Sequence, residues 1–128
     1  MGLVLVDTNI VIDYLNGYQI AADELAKHQY PTISIVTWIE VLAGTPDYLI
    51  DITKTQLNKF AIINCTLGPV AEVALAVRRG SISPGARKIK LPDAIIFASA
   101  SLGGRLLLTR NIKDFKHLPN VLVPYELL

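Results

Sequence analysis

The chain has 128 residues, a net charge of +1, 52% hydrophobic residues and a mean hydropathy of +0.43. That length suits one domain, which at this size buries roughly two thirds of the surface its unfolded chain exposes. Every apolar stretch meets a charge, a Gly or a Pro well before the ~18 residues a membrane helix requires, which excludes a membrane span, and the lone Cys65 excludes an internal disulfide.

The first predicted element is the strand LVLV at 3–6, which ends on Asp7. A helix at 9–16 follows and stops at Gly17, and a second helix covers 19–28. The strand TISIV at 32–36 leads into helices at 37–43, closed by Gly44, and at 47–58, opened behind Pro46. The third strand, FAIIN at 60–64, precedes a helix at 68–79 with Pro69 at its start and Gly80 at its end. A helix at 92–102 lies between Pro92 and Gly103, and the strands LLLT at 106–109 and VLV at 121–123 complete the chain. Alternating helices and continuously apolar strands imply an α/β fold, a mostly parallel central sheet with helices on both faces. In such sheets the functional crevice lies outside the carboxyl ends of the strands.

Four acids fall on that edge. Asp7 follows the first strand, Glu40 sits in the helix after the second, Asp93 opens its helix, and Asp114 lies past the 106–109 strand. Each has an ordinary explanation when taken alone. Asp7 or Thr8 can cap a helix, Thr37 and Glu40 have capping-box spacing, Asp93 suits a helix N-terminus, and Asp114 suits a turn. Together they are harder to dismiss, because Glu40 is the only charge in SIVTWIEVLAG and Asp7 and Asp93 are flanked by apolar residues. Carboxylates gathered in a partly buried cleft repel one another unless a cation is present. With oxygen donors alone, that cation is hard, Mg²⁺ or Mn²⁺. His28 and His117 lack zinc spacing, and Cys65 in FAIINC reads as a small buried hydrophobe.

Charge is split along the chain. Residues 1 to 77 hold three Lys/Arg against eight Asp/Glu, giving −5, and residues 78 to 128 hold nine against three, giving +6. Within the second half, RRGSISPGARKIK at 78–90 carries Arg78, Arg79, Arg87, Lys88 and Lys90 with no acid. It suits either a solvated basic loop or contact with phosphate.

Four stretches in order, VDTNIVIDYL, SIVTWIEVLAG, KLPDAIIFASA and LLLTRNIKDF, resemble the PIN-domain family, most closely the VapC-type ribonuclease toxins of toxin–antitoxin pairs. The resemblance implies a PIN-like three-layer sandwich over residues 1–128 and an endoribonuclease site binding Mg²⁺ or Mn²⁺ through Asp7, Glu40, Asp93 and Asp114. Family members carry the fourth acid at the position of either Asn111 or Asp114; Asp114 is assigned here, with Asn111 and Thr8 as auxiliary groups. The basic set from Arg78 to Lys90 would hold the RNA backbone. The resemblance also implies a small antitoxin partner and a homodimer. The apolar residues Ile10, Val11, Ile12, Tyr14, Leu15, Trp38, Ile39, Val41 and Leu42 run nearly all round the helix at 9–16 and the segment at 38–42, so one face can pack on the sheet and either partner would cover the remainder. The apolar start runs into Asp7 too early for a secretory signal, so the expected compartment is the cytoplasm. Two other classes remain open: a non-catalytic RNA- or protein-binding module on the same scaffold, and a Mg²⁺-dependent phosphotransferase or phosphatase. The second lacks both a P-loop and a second Asp two residues after Asp7, where Asn9 stands.

Overall fold

The computed structural model of the chain describes residues 3–63, 68–79, 89–115 and 118–127. In chain order these form β1 (Val4–Val6), α1 (Thr8–Leu15), α2 (Gln19–Ala26), β2 (Thr32–Ser34), α3 (Ile35–Ala43), a 3-10 turn (Asp47–Leu49) and α4 (Ile50–Leu57). Then come β3 (Ala61–Ile63), α5 (Pro69–Arg78), α6 (Leu91–Leu102), β4 (Leu106–Leu108), α7 (Ile112–Phe115) and β5 (Val121–Leu122). All five expected strands are present, and α7 is an element that the sequence pattern does not predict. It is a single helical turn, too short to carry a period.

The strands lie in the order β3-β2-β1-β4-β5, and every neighbouring pair is parallel. Leu5 pairs with Thr32 on one side and with Leu107 on the other. Side chains alternate across the sheet, so each apolar strand feeds two cores. Val4, Val6, Ile33 and Leu108 pack with Ile10, Val11, Leu25, Val41 and Leu57 of α1 to α4. Leu5 and Leu107 point the other way, onto Ala74, Val77, Ile96, Phe97 and Phe115 of α5 to α7. This is a three-layer sandwich, and it explains why the strands read as unbroken apolar runs.

Chain order reverses at β1, whose neighbours are β2 and β4, and such a switch point opens a crevice at the carboxyl ends of the strands. The core also absorbs part of the apolar excess. Ile10, Val11 and Val41 are buried on the face that packs on the sheet, while Ile12 and Ile39 remain exposed. Among the described residues no helix is long and apolar enough to cross a membrane. Cys65, Gly80, Arg87, Lys88 and His117 lie outside the described residues.

Candidate functional site

Asp7 is the residue with which β1 ends and α1 begins. Its backbone is extended, its amide N–H donates to the carbonyl of Leu108 at 2.8 Å, and its Oδ1 accepts the Thr8 amide N–H at 2.7 Å. The capping role anticipated for this position is therefore real, but it uses one carboxylate oxygen only. Oδ2 accepts the hydroxyl of Thr109, the residue after β4, at 2.7 Å. The two strands that flank the switch point are thus joined at their ends by a buried hydrogen bond.

Thr109 is fully buried and its hydroxyl also accepts from the Asn9 side chain at 3.2 Å and from the Asn111 amide at 2.9 Å. Neither Thr109 nor Asn9 stands out in the sequence as an organising residue. The one available signal was a polar residue closing an apolar strand, which is also how many strands end.

Glu40 reaches the same edge from α3. The capping box read at Thr37 and Glu40 does not form, because α3 begins earlier, at Ile35, with Ser34 as its cap. The Ser34 hydroxyl accepts the Val36 amide N–H at 3.1 Å. Thr37 is instead buried within the helix, 2.9 Å from the Thr8 hydroxyl, which donates to Glu40 Oε1 at 2.8 Å. A hydroxyl has one proton, so with Thr8 donating to Glu40 it is Thr37 that donates to Thr8. The result is a directed chain, Thr37 to Thr8 to Glu40, fixing one carboxylate oxygen.

Asp93 stands in the first turn of α6, behind Pro92 and the extended cap residue Lys90. It is half-buried, and its proton affinity is pushed up to about 6. Burial is the largest cause, followed by the charges of Asp7, Glu40 and Asp114, with Lys90 opposing them. Burial likewise raises Asp7, against which the Thr109 and Thr8 hydrogen bonds favour its charged form while Glu40 adds repulsion. Asp7, Glu40 and Asp114 therefore all act on Asp93, and Glu40 acts on Asp7, at the switch-point edge.

Asp114 lies in α7 and is gripped by Asn111, whose Nδ2 donates to Asp114 Oδ2 at 2.9 Å and whose Oδ1 accepts the Asp114 amide at 3.3 Å. Asn111 thereby orients the acid next to it. Of the basic set, Lys90 is the described member whose charge acts on Asp93. Arg78 ends α5 and Arg79 caps it.

The donors that meet here are carboxylate, hydroxyl and amide oxygens, a set suited to Mg²⁺ or Mn²⁺. Among the described residues no three Asp, Glu, His or Cys side chains are gathered closely enough to hold a metal ion by themselves. A hard cation that keeps several waters needs only one or two carboxylates, so the repelling pair Asp7 and Asp93 fits such an ion.

A comparison of the chain with family models matches the PIN domain over residues 4–121. No curated protein matches the sequence. Among solved structures, a toxin–antitoxin complex from Klebsiella pneumoniae is 40% identical with a TM-score of 0.85, covering 97% of this chain and 99% of that one. FitAcB from Neisseria gonorrhoeae is 20% identical with a TM-score of 0.80, covering 98% of this chain and 100% of that one. DNA-bound VapBC from Salmonella typhimurium is 16% identical with a TM-score of 0.78, covering 94% and 96%; at such identities these last two bear on the fold alone. With a family model spanning nearly all of the described sheet and a full-length relative at 40% identity, the chain belongs to the PIN-domain family and resembles its VapC-type toxins.

Proposed function

We propose that the chain is a single-domain, metal-dependent endoribonuclease that acts in the cytoplasm as the toxin of a toxin–antitoxin pair. The observation that carries this reading is Asp93, which burial first and then the charges of Asp7, Glu40 and Asp114 lift to about 6 at the switch-point edge. Such a cluster is unfavourable in the isolated chain and becomes favourable when it holds a cation. Asp7 and Asp93 would hold Mg²⁺ or Mn²⁺, with Glu40 and Asp114 contributing through water. When bound, the cation would supply charge neutralisation at the scissile phosphate.

The remaining work falls to the chain's own groups. Thr109 and the Thr8 amide keep Asp7 from turning away, since each fixes one of its oxygens. Thr8 occupies Oε1 of Glu40, leaving Oε2 to take a proton from the attacking water. Asn111 holds Asp114 in the same manner. Lys90, joined by Arg87 and Lys88 in sequence, would offset the repulsion between this acidic edge and the RNA backbone. Cleavage of single-stranded RNA is the activity to assay.

An antitoxin partner fits the apolar surface beside the cleft. A groove of about 510 Å³ runs between α1, α2 and α4, lined by Tyr14, Leu15, Tyr18, Leu49 and Ile52. A neighbouring one of about 290 Å³ continues past Ile12 and Leu15 to Glu40. A helix laid along them would place its end near the acids, and self-association into a homodimer would cover further apolar surface.

The deciding experiment measures cleavage of a single-stranded RNA by the wild type, Asp7→Asn and Asp93→Asn, with Mg²⁺ or Mn²⁺ and with chelator. Cleavage by the wild type alone, and only with metal, is expected. Metal-independent cleavage, or wild-type rates in either variant, would sink the reading. RNA binding without cleavage would favour a non-catalytic binding module.

A further inference from the structure

Asp13 is buried in α1 at 3% exposure, and the nuclease reading above gives it no task. Its carboxylate nevertheless accepts three hydrogen bonds. Arg110 approaches in a fork, with Nε to Oδ2 at 2.6 Å and Nη2 to Oδ1 at 3.0 Å, and the Tyr125 hydroxyl donates to Oδ2 at 2.9 Å. The pair is short and bidentate, and the hydrogen bond to Asp13 holds Arg110 more firmly charged.

Arg110 stands between the two residues that organise the other half of the site. The preceding Thr109 donates to Asp7, and the following Asn111 grips Asp114. Arg110's own amide N–H donates to the Asn9 side chain at 3.2 Å. The ion pair therefore links α1, which follows Asp7 and carries Thr8 and Asn9, to the turn from β4 into α7, which carries Thr109, Asn111 and Asp114. With Asp13 buried and Arg110 partly exposed, the pair is an inefficient source of stability, because solvent screens one partner and desolvation penalises the other. What a fork on a carboxylate provides is a fixed distance and angle.

We propose that Arg110 and Asp13 are positioning residues, a clamp that sets where Asp114 and Thr109 stand relative to Asp7. The inference rests on the nuclease reading for its functional meaning. Arg110→Lys keeps the charge but loses the fork, and Tyr125→Phe removes the third hydrogen bond to the same carboxylate without altering the turn. In the full chain, Mn²⁺ affinity is measured by calorimetry, amide exchange at residues 109–114 is followed without metal, and RNA cleavage is assayed in parallel.

Arg110→Lys should weaken Mn²⁺ binding about tenfold or more, as lost orienting contacts around metal ligands generally do. It should also speed exchange selectively at 109–114. Tyr125→Phe should leave Mn²⁺ affinity within about twofold, even with a lower melting temperature, because the clamp survives. If Arg110→Lys fails to fold, the neutral isostere Asp13→Asn is read in the same way. Wild-type affinity and wild-type exchange in the clamp variants overturn the clamp and leave the nuclease reading standing. Should the wild type bind no Mn²⁺ or cleave no RNA, the nuclease reading falls and exchange decides: selective loss of protection at 109–114 supports the clamp, and unchanged or uniformly raised exchange overturns it.

Discussion

Asp93→Asn should stabilise the metal-free protein at neutral pH. In the folded chain the Asp93 carboxyl is raised from 3.8 to about 6, so the native state binds its proton more tightly than the unfolded chain does. The associated stability is fully present below about pH 4 and is lost as pH rises through about 6. At about 1.4 kcal/mol per pH unit the loss has a ceiling of about 3 kcal/mol. Asp93 is only half-buried, and solvent and salt screening reduce this to about 1–2 kcal/mol. Asparagine has nearly the same shape and no charge to repel Asp7, Glu40 and Asp114. For a domain of this length the variant should melt about 3–8 °C above the wild type at pH 7.5 in chelator, with the gap closing towards pH 4. Added Mn²⁺ should narrow or invert that gap, because the wild type gains more from a cation than the variant does. Thermal melts from pH 4 to 8, with chelator or with Mn²⁺, read all of this. A variant less stable than the wild type at pH 7.5 in chelator, or a gap that ignores pH, would refute the repelling cluster.

Other substitutions test separate links. Thr109→Val takes a hydrogen-bond partner from Asp7 Oδ2, Asn9 Nδ2 and the Asn111 amide and should cost about 2–4 kcal/mol, measurable by urea denaturation. Leu107→Ala removes a fully buried side chain beneath α6 and α7 and should cost about 2–5 kcal/mol by the same measurement, whereas a loss under 1 kcal/mol would contradict its burial. Replacing Arg87, Lys88 and Lys90 together with Ala should weaken RNA binding and flatten its salt dependence, and an unchanged salt slope would return the segment to a solvated loop. Leu15→Asp should impair capture of an antitoxin helix more than it lowers the melting temperature, since Leu15 is only partly buried and lines both apolar grooves.

The amino-acid sequence by itself determined the elements and the character of the edge where they meet. Runs such as LVLV and LLLT, of strand length and alternating with helical segments, read as strands buried on both faces, and Gly and Pro marked the helix ends because they carry local backbone constraints. The acids were legible because a lone charge in an apolar stretch is costly unless it has a purpose. The family's motifs match three of them, Asp7, Glu40 and Asp93, and place the fourth acid at the position of either Asn111 or Asp114. Helix α7 escaped notice, being one turn long, and the start of α3 was misplaced because Thr37 looked like a cap when Ser34 performs that role.

Only the tertiary structure decided which side chains hold the acids in place. The order β3-β2-β1-β4-β5 puts residue 7 beside residue 109, and Thr109 meets Asp7 while Arg110 and Tyr125 meet Asp13. These contacts join residues about a hundred positions apart, and no local propensity encodes them. A polar group deep in a strand-to-helix turn must find a partner, but which one it finds follows from strand order and register, and those are settled by how the whole core packs.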